Sequence, residues 1–126
     1  MKELTKAEEQ VMQYLWDMKR GFLKEIVGKF PEPRPAYTTI STVIRVLVKK
    51  GFIGYETHGK VHEYFPEISR QSYFKKHVQS MIMNHFDGSK VDFASFFTGE
   101  GEMNVTELEE IKELIDLKIS ELKKQN

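Results

Sequence analysis

A mainly α chain with one small β-hairpin is what this sequence predicts, on three observations. Apolar residues recur at i, i+3, i+4 and i+7 through most of the 126 residues. Period-two alternation is confined to residues 53–65. Glycine and proline punctuation at Gly21, residues 31–35, Gly51, Pro66 and residues 87–89 cuts the chain between these segments.

The elements follow in order. Residues 5–19 open with Thr5 three places before Glu8, a capping box, and continue with a stripe of Val11, Met12, Leu15 and Trp16. Gly21 is expected to end this helix. Residues 22–30 predict a shorter one, with Leu23, Ile26, Val27 and Phe30 inward. The run PEPRP, with three prolines in five positions, cannot continue a helix and is expected as a stiff loop.

The third segment carries a conflict. Between Thr38 and Val48, eight of eleven residues are β-branched, which by propensity means strand. Yet Ile40, Val43, Ile44 and Leu47 share one helical face and nothing alternates, so the spacing predicts a helix over 38–50, ended by Gly51. Residues 53–65 then predict a hairpin with a short basic tip at His58, Gly59 and Lys60. A long helix is expected over 69–86, one or two helical turns over 91–97, and a loop over TGEGE, residues 98–102. A last helix runs to about Lys124, with Thr106 and Glu109 as its expected capping box.

Three helices and a hairpin in this order form a winged helix-turn-helix, whose third helix enters the major groove while the hairpin lies along the backbone. Advancing about 100° per residue sets Thr38, Thr42, Arg45 and Lys49 opposite the Ile40 face. No carboxylate occurs between Thr38 and Lys50, whereas an ordinary solvated face mixes both signs. Short hydroxyls let a helix approach the groove, and cations meet phosphate or guanine. The candidate DNA-binding residues are therefore Thr38, Thr39, Ser41, Thr42, Arg45, Lys49, Lys50, His58 and Lys60. A winged helix that docks on protein remains the alternative.

The C-terminal stripes, Phe74, Val78, Met81, Ile82 and Phe86 in one helix and Leu108, Ile111, Ile115, Ile119 and Leu122 in the other, lie in about 55 residues, too few for an independent core. They either fold over the winged helix or pair with a second copy. Dimerisation is expected, since such readers commonly match two half-sites. The expected organisation is a DNA-binding domain over 1–68 and a helical dimerisation domain over 69–126.

Composition narrows the remaining classes. The formal net charge is zero, but residues 1–70 hold 12 basic and 9 acidic side chains, including all four arginines, against 7 and 10 in residues 71–126. With no cysteine there is no disulfide, thiolate metal site or thiol nucleophile. No catalytic motif, metal or other cofactor is expected, and the four histidines lack a ligand spacing. The chain shows no signal-peptide-like or membrane-length apolar run, so a cytoplasmic protein with no membrane partner is expected.

The stretches LTKAEEQVMQYLW, TTISTVIRVLVKKGFI and LEEIKELI resemble the penicillinase-repressor family of bacterial transcription regulators, of the BlaI/MecI type, over nearly the whole chain. The resemblance implies a winged-helix repressor that binds a palindromic operator as a homodimer. Thr39, Thr42 and the Lys49-Lys50 pair stand where that family has them, while Ser41 and Val46 stand where staphylococcal members have arginines, which implies a different operator. Antibiotic-responsive members are inactivated by a sensor protease at an Asn-Phe bond; Gly99-Glu100 occupies that place here. Copper-responsive relatives use a cysteine cluster, absent from this chain, so the inducer or sensor protein stays unidentified.

Overall fold

The computed structural model describes residues 3–125. It divides into two compact units, residues 1–78 and 79–126.

The first unit begins with α1 (Lys6–Met18). Glu8 N–H donates to Thr5 Oγ1 at 3.2 Å and Thr5 N–H to Glu8 Oε1 at 2.8 Å, the expected capping box. Beyond Gly21 the structure departs from expectation. Gly21–Phe22 is a two-residue strand, β1, paired with a later strand, and only then does α2 (Leu23–Lys29) start. The Glu25 carboxylate accepts the Phe22 N–H at 2.9 Å and caps it.

The β-branched segment is helical: α3 spans Tyr37–Lys49. Its inner residues Ile40, Ile44 and Leu47 are 2%, 1% and 0% exposed. Each such burial contributes about 1.5–3 kcal/mol, against roughly 0.5 kcal/mol for placing one β-branched residue in a helix. Burial therefore wins. The inner face packs with Val11, Met12 and Leu15 of α1 and Ile26 and Val27 of α2 in one core.

After α3 come β2 (Ile53–His58) and β3 (Val61–Pro66). The antiparallel sheet has the order β1-β3-β2, with Tyr55 opposite Tyr64 and Glu56 opposite Glu63. Gly59, at φ +63°, opens the turn between His58 and Val61, as a two-residue hairpin turn requires. The helix α4 (Arg70–Phe86) starts in this unit. Tyr73, 6% exposed, joins the core beside Trp16 and Phe52, and Trp16 Nε1–H donates to Ile68 O at 2.8 Å. The first turns of α4 thus separate this division of the chain from one drawn after residue 68.

In the second unit α4 ends at Asp87 and Gly88, both with positive φ. Ser89 caps α5 (Lys90–Glu100), three turns rather than the expected one or two. Phe86 packs against Phe93 and Phe96 at centroid distances of 5.7 and 5.8 Å. The expected loop over 98–102 is corrected: α5 continues through Gly99 to Glu100, and the Thr98 hydroxyl donates back to Ala94 O at 2.8 Å. The last helix, α6, spans Val105–Lys124 and is capped by Asn104 with Glu107, not by Thr106 with Glu109. Asparagine is at least as good an N-cap as threonine, and the earlier start adds helix. Among the described residues no helix is long and apolar enough to cross a membrane.

Candidate nucleic-acid interface

The core on one side of α3 leaves its other side free. Thr38, Thr39, Thr42, Arg45 and Lys49 are exposed there and Ser41 is half-buried. The Thr42 hydroxyl donates to Thr38 O at 3.0 Å, which restrains its rotamer. Half-exposed Tyr37 adds an aromatic ring at the first position.

Lys50 does not join this face. Its Nζ lies 2.9 and 3.0 Å from the two carboxylate oxygens of Glu8, which is 5% exposed.

The hairpin presents two chemically different faces. Tyr55, Thr57, His62 and Tyr64 share one, with Tyr55 and His62 rings 4.4 Å apart and Thr57 Oγ1 3.1 Å from His62 Nδ1. A cavity of about 320 Å³ is lined by Ser41, Arg45 and Val48 of α3 and by Tyr55, His62 and Tyr64 of the sheet. Burial raises the Tyr64 pKa, as does neighbouring Tyr55, while the charge of Arg45 opposes the rise. Sequence reasoning missed Tyr37, Tyr55, His62 and Tyr64. Tyr55 and Thr57 alternate within one strand and His62 and Tyr64 within the next, and only the strand register brings these four together.

On the opposite face Glu56 and Glu63 are cross-strand partners, a repulsive pairing by itself. Arg20 offsets it: Nη2 lies 2.8 Å from Glu56 Oε1 and Nε 3.2 Å from Glu63 Oε1. Hydrogen bonding from Arg20 holds the Glu63 carboxyl below its usual range, against desolvation and with help from His58. The two carboxylates hold the Arg20 guanidinium in its charged form. His58 Nε2 is 3.3 Å from Glu63 Oε1, so of the two expected wing contacts His58 sits in this cluster, whereas exposed Lys60 makes no ion pair among the described residues. Ligand atoms of Glu56, His58 and Glu63 fall within 4.8 Å of one another, but Arg20 already supplies positive charge there.

The predicted apolar stripes of the C-terminal helices differ in exposure. Ile82 is buried, and Val78, Met81, Phe86 and Ile111 are half-buried. Phe74, Leu108, Ile115, Ile119 and Leu122 are exposed, Ile115 by 54%.

Comparison with known proteins adds four findings. The family described as penicillinase repressor matches residues 4–117. The chain is 25% identical over 117 residues to the methicillin resistance regulatory protein MecI of Mammaliicoccus sciuri, covering 92% of this chain and 95% of that one. It is 21% identical over 115 residues to the penicillinase repressor of Bacillus licheniformis, covering 90% of each. A solved structure, the DNA-binding domain of the repressor BlaI, matches with a TM-score of 0.50 and 27% identity, covering 58% of this chain and 94% of that one.

Proposed function

This chain belongs to the penicillinase repressor family, and we propose that it represses transcription by binding a palindromic operator as a homodimer. The family is one of repressors, not of enzymes. The observation that carries the reading is the outward face of α3. It exposes Thr38, Thr39, Thr42, Arg45 and Lys49, and the helix holds no carboxylate. In a major groove Arg45 reads guanine, the threonines meet thymine methyls or phosphate, and Lys49 meets phosphate. Lys60, at the wing turn, meets the backbone. The likeness of this chain to the DNA-binding domain of the repressor BlaI supports placing DNA here. We read residues 1–68 as the DNA-binding domain and residues 69–126 as the dimerisation domain.

Ser41 lines the cavity with Arg45, and its contribution is to let the helix approach closely. Lys50 and His58 act indirectly, since each is held by a carboxylate. The second copy is supported by α6, whose Leu108, Ile115, Ile119 and Leu122 are uncovered in the single chain. We read release from DNA as independent of cleavage at Gly99-Glu100, with another inducer or sensor protein giving the signal.

Selection of bound fragments from the host genome, followed by footprinting, tests this. The expected result is a two-fold symmetric footprint with half-sites about one helical turn apart or a multiple of it. No enrichment over random DNA at moderate salt would overturn the reading in favour of a protein-docking winged helix.

A further inference from the structure

A second cavity in the winged unit, of about 600 Å³, is bounded by Phe22, Leu23, Tyr37, Val61 and Tyr64. Tyr37 is the first residue of α3 and Val61 the first of β3 after the wing turn. The cavity is thus bordered by both elements assigned to DNA. Its walls are almost wholly apolar. Water finds too few partners in such a space. A volume of this size, apolar with a few polar groups, has the form of a small-molecule site.

Those polar groups define the ligand. Lys24, Glu25, Lys60 and His62 complete the lining. Glu25 is committed to the Phe22 N–H, and His62 Nδ1 faces the Thr57 hydroxyl. Lys24 and Lys60 make no ion pair among the described residues. Two lysines with no ion pair among the described residues therefore border an apolar cavity whose one carboxylate is engaged. Phosphate alone would meet the lysines and leave the apolar wall wet.

From this juxtaposition we propose that the cavity binds an amphipathic organic anion, an aromatic or branched aliphatic carboxylate. Its apolar body fills the space and its carboxylate meets Lys24 and Lys60. Occupancy excludes DNA, because the bound carboxylate holds Lys60 and withdraws it from phosphate. The second half of the proposal rests on the DNA-binding reading; the first does not.

The test uses the full chain, ¹⁵N-labelled and free of DNA, titrated with 2-naphthoate, 2-naphthamide and inorganic phosphate. Naphthoate is expected to bind saturably at one per chain, with shifts confined to the lining residues. Naphthamide binds about fivefold more weakly, and Lys24→Gln weakens naphthoate about two- to fivefold, as expected for partly exposed ion pairs. Leu23→Trp, which fills the cavity, abolishes binding while the remaining amide spectrum stays folded. No saturable shifts, or shifts on α6 alone, would overturn the site. Equal affinity for amide and acid would overturn the charge assignment. Naphthoate is then added to the chain bound to its selected DNA fragment. Displacement in the parent but not in Leu23→Trp supports exclusion, and a ternary complex overturns it. A chain that binds naphthoate but no DNA leaves the site standing and removes the DNA reading instead.

Discussion

Lys50 Nζ holds both carboxylate oxygens of Glu8, at 2.9 and 3.0 Å, and so ties the end of α3 to the first turn of α1. Burial by itself would raise the Glu8 pKa. The hydrogen bond from Thr5 N–H and the bonds and charge of Lys50 outweigh it and hold Glu8 below the usual carboxylate range. Lys50→Met strands a buried carboxylate. It is expected to lower stability at neutral pH by about 1–3 kcal/mol, measured by urea unfolding. A depressed carboxylate contributes stability that is fully present above its unfolded pKa of about 4.3 and is lost as pH falls through its folded value. The difference between parent and Lys50→Met should therefore narrow as pH falls below that range. A constant difference would mean that Lys50 acts by packing alone.

Arg45 and Lys60 are expected to fail differently. Arg45 lies on the exposed face of α3 that we read as entering the groove, so Arg45→Ala should reduce discrimination between operator and mismatched DNA by about 1–3 kcal/mol. Lys60 lies at the wing turn, so Lys60→Ala should weaken all sequences about equally and reduce the log–log salt slope by roughly 0.9. Titrations at several salt concentrations measure both. An unchanged operator preference in Arg45→Ala would move base readout off this face.

Arg20 is expected to hold the wing through its two carboxylates rather than to touch DNA first. With Arg20→Gln, Glu56 and Glu63 oppose each other without a shared cation. The Glu63 carboxyl, now held below its usual range mainly by Arg20, should titrate at higher pH. Carboxyl chemical shifts followed through acid pH measure this, and hydrogen exchange across β2 and β3 should quicken. An unmoved Glu63 titration would assign its shift to His58.

These relationships explain what the sequence could disclose. The inner face of α3 was legible because its spacing is local and its burial outweighs propensity. The Glu8–Lys50 bridge was not, because its partners lie 42 residues apart. Nor was β1, since two residues carry no period and Gly21–Phe22 is a strand only through pairing with β3. The TGEGE segment misled because glycine inside a helix costs only about 1 kcal/mol, which α5 absorbs at Gly99. At α6 two overlapping cap patterns competed, and the earlier one, at Asn104, prevailed. Of the candidate interface, the exposed positions of α3 lie on one helix, so their shared face could be read from spacing. The nearness of Tyr55, His62 and Tyr64 to one another required the register of two strands.

The exposed stripe of α6 carries the last prediction. Ile115, Ile119 and Leu122 are about half exposed, and Ile111 is half-buried. Soluble chains seldom leave such a contiguous face wet, and a self-complementary contact between two copies covers it symmetrically. Ile111→Asp with Ile115→Asp introduces four carboxylates into that contact. Each would be desolvated beside apolar neighbours, at a cost a marginal interface does not bear. The doubly substituted chain should sediment as a monomer, keep its helix content by circular dichroism because the Asn104–Glu107 cap is untouched, and lose most of its affinity for a two-half-site operator. Glu113→Gln, on the opposite side of α6, should remain dimeric. A dimer that survives both aspartates would place the second copy on the α4 stripe of Phe74 and Val78 instead.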